Sequence, residues 1–183
     1  MSVDSASGAL RLVAPFMVTP ASQQSLGVEL AALSTAAPIS AGWPGANRAL
    51  YVPFTLSETV TVVKMFSQQA GLGGAQNIDV GIYNEGLSRL VSSGSTLMDG
   101  TNILKEYDIT DIVLGPGRYY MAVVIDSISN GLHRWSLGSA DRLKLLGIAE
   151  EAAAFPLPAT ATPAVVSSDY IPVFGLSLRT LVA

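Results

Sequence analysis

"LGPGRYYMAVVID", residues 114–126, decides more of the fold than any other stretch of this chain. Pro116 fixes φ for the second position of a β-turn, and Gly117 can take the positive φ that a type II turn needs at its third. The chain is therefore expected to reverse here, with the segments ending at Leu114 and starting at Arg118 close in space. After the turn, "RYYMAVVID" is apolar on both alternating sets of positions. Successive side chains of a strand point to opposite faces, so such a run predicts a central strand covered on both sides.

The segments around it alternate. "ALYVPFTL" from Ala49 puts Leu50, Val52, Phe54 and Leu56 on one face and Tyr51, Pro53 and Thr55 on the other. "TVTVVKMFS" from Thr59 opposes Val60, Val62, Lys64 and Phe66 to Thr61, Val63 and Met65. "NIDVGIYNEG" from Asn77 has the clearest period of two, with Ile78, Val80 and Ile82 against Asp79, Gly81 and Tyr83. Asn84, Glu85 and Gly86 then form a turn, and "LSRLVSSGSTL" returns as a strand. "GLGG" from Gly71 is a loop by composition. A last strand spans residues 170–178. It shares with the 47–56 segment a Tyr, a β-branched residue and a Pro, and the two are expected to lie side by side. Pro53 and Pro172 cannot donate to a ladder, so each belongs at a strand start, an edge or a bulge.

Helical signals are few. "SADRLKLLG" predicts a short helix with Ser139 as N-cap and Gly147 at its end. "QQSLGVELAALSTAA" from Gln23 spaces Leu26, Leu30 and Leu33 as a helix does, although Gly27 weakens it. "FPLPATATPAVVSS" from Phe155 holds three prolines and must run extended over a surface. The expected architecture is all-β: an antiparallel β-sandwich or jelly roll over residues 47–183, preceded by an extended N-terminal arm, 1–46, and carrying a Pro-rich C-terminal segment.

Composition narrows the function. Among 183 residues, 49% are hydrophobic and only 13% charged, about half the charge of an average globular protein. Much of the surface must then be neutral, or covered by other chains. A net charge of −4, with the basic residues scattered singly, argues against nucleic acid as a partner. No apolar run approaches the ~20 residues that cross a bilayer as a helix, so no membrane partner is expected. The absence of cysteine excludes disulfides, thiolate metal sites and a Cys nucleophile. Asp4, Arg11 and Pro15 make the N-terminus unlike a signal peptide.

Catalytic chemistry has little to build on. His133 is the sole histidine; "GLHRW" reads as a polar loop between strands, and nothing resembles a nucleophile elbow. Asp108, Asp111 and Asp126 are the oxygens a calcium ion would have to use, but their spacing is not that of an EF-hand, and strand-end carboxylates usually meet turn amides or solvent. No cofactor, metal or catalytic residue is assigned, and no enzyme is expected. The candidate surface contacts are Trp43, Tyr83 and Trp135, which as a flat aromatic platform would stack on a sugar.

Taken together, "NRALYVPFTLSETVTV", "NIDVGIYNEGLSRLVSSGSTL", "LGPGRYYMAV" and "AFPLPATATPAVVSSDYIPVFGLSLR" resemble a group of small structural proteins of tailed bacteriophages, in the same block order and over residues 43–179. The resemblance implies a non-enzymatic virion component on a β-sandwich, assembled in the host cytoplasm, either a head-decoration or cement protein or one associated with the tail. The partners expected on that basis are further copies of itself, as a homotrimer, and the major capsid protein or tail proteins. A host surface glycan is the partner in the alternative, a tail-associated receptor-binding module.

Overall fold

The computed structural model describes residues 10–13, 38–71 and 75–179. The helix expected near residues 23–37 lies outside them. The described chain is antiparallel β-structure with one short helix, as its alternating sequence predicts.

The largest sheet has β9 (Gly117–Ile125) near its middle, between β3 (Arg48–Leu56) and β5 (Gln76–Asn84). Beyond β3 come β11 (Ala149–Glu151) and β12 (Ala164–Val165); beyond β5 come β6 (Arg89–Ser92) and, on the same side of β5, β7 (Thr96–Met98). The register stacks Leu50, Val123 and Val80 in one row, and Val52, Met121 and Ile82 in the next. A four-stranded sheet, in the order β1 (Leu10–Val13), β14 (Phe174–Arg179), β4 (Val60–Gln68) and β8 (Leu104–Leu114), supplies the second layer. Val60, Val62, Met65, Tyr107, Leu114, Phe174 and Leu176 from it share one buried cluster with those rows. Two apolar sheet faces closing on each other make the β-sandwich, because neither can stay in water at a cost of roughly 25 cal/mol per Å². A small third sheet joins β2 (Ile39–Ser40), β10 (His133–Trp135) and β13 (Ile171–Pro172).

Residues 114–117 perform the reversal, but not as a hairpin. Leu114 pairs with Val60 in the four-stranded sheet, whereas Gly117 pairs with Leu56 in the large one. The turn therefore carries the chain from one layer to the other. Gly117 has φ 157°, close to extended and far from the ~80° of a type II third position.

Three further expectations change. The two Tyr/Pro segments are not neighbours: β3 pairs with β9 and β11 in the large sheet, whereas Ile171–Pro172 pairs with β10 in the small third sheet and the rest of the second segment, β14, pairs with β4 and β1. The expected last strand is split into β13 and β14, which join different sheets. "HRW" is a strand rather than a loop, since its backbone pairs with both Ile39–Ser40 and Ile171–Pro172. Pro53 fits its predicted place, because β11 stops pairing at Tyr51 and leaves Pro53 beyond the end of that ladder. The short helix α1 (Ala140–Leu145) follows Ser139 in the N-cap position, and Gly147, at φ 74°, turns the chain out of it.

Part of the first 46 residues is built into the sandwich. β1 extends the edge of β14, β2 pairs with β10, and Trp43 is packed in the core.

Candidate functional site

The outer face of the large sheet carries a connected set of polar contacts, several of them buried or part-buried. On that face β5 presents Asp79, Gly81 and Tyr83, β3 presents Ala49 and Tyr51, and β9 presents Ala122 and Val124. Asp79 and Tyr83 are fully buried. The cover is the proline-rich segment, whose Ala154, Leu157 and Ala161 complete a second apolar cluster with Ala49, Tyr51, Tyr83, Ala122 and Val124. Sequence alternation marks Asp79 and Tyr83 as the polar side of a strand; the strap laid over them puts that side in the interior as well.

Each end of the strap, residues 154–161, is bonded by backbone: Ala154 N–H donates to Asn47 O at 2.7 Å, and Ala161 N–H to Leu87 O at 2.9 Å. In between, the Leu157 N–H donates to Asp79 Oδ2 at 3.0 Å, while the Arg89 guanidinium donates to Leu157 O. The Tyr83 hydroxyl donates to Pro158 O at 2.6 Å. The strap's carbonyls still need donors, and β5 and β6 supply them: the Tyr83 hydroxyl and Arg89 guanidinium to Pro158 O and Leu157 O, and the Arg89 backbone N–H to Ala159 O at 2.8 Å. Gly81 gives the strap room: a Cβ there would meet Val91 O at 2.8 Å and Leu157 Cδ1 at 3.0 Å.

This face shifts its ionisable groups. Burial raises the Asp79 carboxyl above the usual range, against the lowering effect of the Leu157 amide, Arg89 and Ser93. Burial pushes the Tyr83 hydroxyl up to about 12. Tyr51 is raised by burial and then by its bond to Glu151 Oε2, 2.8 Å away. Glu151 also accepts from the N–H and hydroxyl of Thr162, at 3.1 and 3.0 Å, which pins the chain just after the strap.

The expected aromatic platform does not form. Trp43 lies between the two layers, 3% exposed, its Nε1 donating to Arg48 O at 2.8 Å and its ring edge-on to Tyr170 at 5.2 Å. Tyr83 is under the strap, on the other side of the large sheet, edge-on to Tyr51 at 5.3 Å. Trp135 is half-buried and packs against the inter-layer core. Large rings with one polar atom stabilise most when the ring is buried and that atom is bonded, and the fold places Trp43 and Tyr83 that way.

The acidic candidates are likewise separate. Asp126 accepts from the Asn77 backbone and side-chain amides at 3.1 and 2.9 Å, closing the end of the β5–β9 ladder. Asp108 is on β8 beside Lys64, at 3.6 Å. His133 Nε2 is 3.1 Å from Asn102 Oδ1. Among the described residues no group of three His, Asp or Glu side chains is placed to hold a metal ion, and no helix is long and apolar enough to cross a membrane.

What sequence reading missed is Asp79, Arg89 and Glu151 as partners of the proline-rich segment. The signal was present: a segment that must run extended over a surface needs a surface with donors and acceptors. Only the pairing of that segment with one particular strand face was hidden. Comparison with known proteins adds no relative: no protein-family model, no curated protein and no solved structure matches this chain.

Proposed function

We propose that the chain is a non-enzymatic structural protein of a tailed bacteriophage virion, an oligomeric β-sandwich, most simply a homotrimer, that decorates or cements the capsid surface. The observation that carries the reading is where the phage-like sequence blocks fall. "NRALYVPF" is β3, "NIDVGIY" is β5, "PGRYYMAV" opens β9, and "FPLPAT" is the strap. These blocks are framework strands and strap, so the likeness that supports the reading falls on the scaffold and not on a reaction centre.

The tail-associated, glycan-binding alternative depends on an exposed aromatic face. With Trp43 and Tyr83 inside, only Trp135 remains of the residues assigned to it. Quantifying the protein in purified particles separates the two. Hundreds of copies on the head, with a trimer mass in sedimentation, support decoration; a few copies at the tail, with hits on a glycan array, support the alternative; absence from particles rejects both.

A further inference from the structure

We propose that seating of the strap, residues 154–161, is linked to proton uptake at Asp79, so that the strap lies more firmly on the sheet as pH falls from neutral.

The geometry puts a carboxyl group where its charge is poorly compensated. Asp79 is fully buried. A carboxylate offers about four acceptor directions, and here only neutral donors reach it: the Leu157 N–H at 3.0 Å, the Ser93 hydroxyl at 3.3 Å and the Ser92 hydroxyl. The nearest cation, Arg89, gives a guanidinium hydrogen bond to Leu157 O instead. With no directly bonded counter-charge, burial disfavours the carboxylate by more than these neutral donors recover. Lifting the strap removes Leu157 from above Asp79 and lets water in, which returns the carboxyl to ordinary acidity near 4.

The other groups on this face hold their state across the range that matters. Tyr83 on β5 and Tyr51 on β3 are both raised by burial and stay neutral, and the guanidinium of Arg89 on β6 is bonded to Leu157 O. The strap has no ionisable side chain, and β9 presents Ala122 and Val124, with Tyr120 paired opposite Tyr83 and Arg118 lying over the Tyr120 ring at 5.5 Å. Glu151 on β11, bonded to Tyr51 and Thr162, is the other carboxylate on this face among the described residues and serves as the control.

The sign follows from linkage. The seated state has the higher carboxyl pKa, so it binds the proton more tightly than the lifted state. Seating is strongest below the ordinary carboxylate range, weakens by up to about tenfold per pH unit through the window up to the raised value, and is constant above it.

The test is amide hydrogen exchange on the full chain between pH 4 and 8, with protection factors corrected for intrinsic rates, read over residues 154–161 and over β9 as reference. Strap protection is expected to fall as pH rises while β9 changes less, Asp79→Asn to flatten the strap's dependence, and Glu151→Gln to leave it. The carboxyl carbon of Asp79, followed by NMR in the unaltered protein, is expected to titrate above the ordinary range, which tests the proposal even if the variant does not fold. Strap protection that rises with pH, or is flat, or keeps its dependence in Asp79→Asn, overturns the proposal, as does an Asp79 midpoint at or below the ordinary value.

Discussion

β5 and β8 are both alternating strands, and they end in different surroundings. β5 is buried at seven of its nine positions because one face meets the inter-layer core and the other meets the strap. β8 keeps Tyr107, Ile109 and Leu114 buried while Leu104, Glu106, Asp108, Thr110, Asp111 and Val113 face outward, exposed. The contrast separates two properties that one pattern confounds. Alternation reports which side of a strand is apolar enough to seek the core; it does not report whether the other side meets water. That depends on a distant segment, here one about 75 residues further along the chain.

Substitutions under the strap should cost much more than substitutions on the outward face of β8. The largest effect is expected for Leu157→Ala. Leu157 is 2% exposed and seats over Gly81, so truncation removes transfer energy and leaves a cavity, about 3 kcal/mol by chemical denaturation. A loss below about 1 kcal/mol would mean that the strap is a loose cover. Gly81→Ala attacks the same contact from below: the new methyl meets backbone at Val91 O, an atom that cannot rotate away, and about 2 kcal/mol is expected. Because the two residues touch, the double variant should cost less than the sum.

Tyr83→Phe is the milder test. It removes the hydrogen bond to Pro158 O, 2.6 Å long, and keeps the ring against Tyr51. A part-buried carbonyl is left without its donor, at about 1 kcal/mol. Melting curves of the variant should superimpose in slope and shift in midpoint; an unchanged midpoint would place the anchoring of the strap elsewhere, in Glu151 and Arg89.

Legibility in the sequence follows the same division. The doubly covered β9, the α1 cap at Ser139 and Gly147, and the edge position of Pro53 were all readable, because each is fixed by residues within a few positions of one another. The partner of each strand was not. Leu114 and Gly117 are three residues apart and sit in opposite layers, an arrangement that turn chemistry does not distinguish from a hairpin. His133 reads as polar punctuation, yet it becomes a strand because β2 and β13 come to flank it. Trp43 and Tyr83 were candidate surface contacts for the sound reason that aromatic rings favour binding faces; the decisive contacts, to Arg48 O and Pro158 O, involve backbone carbonyls that no side-chain pattern encodes. Asp79 was visible as a polar residue in an apolar strand, and its importance rests on Leu157, 78 positions away.

The smallest effect is expected on β8, where Val113→Thr sharpens the contrast. Val113 is 60% exposed and points away from the core. Threonine keeps the β-branch that suits an extended backbone and replaces one methyl with a hydroxyl that water can solvate. Stability should change by no more than about 0.5 kcal/mol. Among the described residues β8 is the outer strand of its sheet, paired to β4 alone, and an exposed strand edge with apolar side chains favours pairing with another chain. The acidic residues Glu106, Asp108 and Asp111 along it oppose such pairing between like copies. The substitution should therefore show itself in light scattering rather than in melting, as lower self-association at high concentration with the fold unaffected. A marked loss of stability would instead show that the outward face of β8 is packed in the isolated chain, and the division between the two faces would fail.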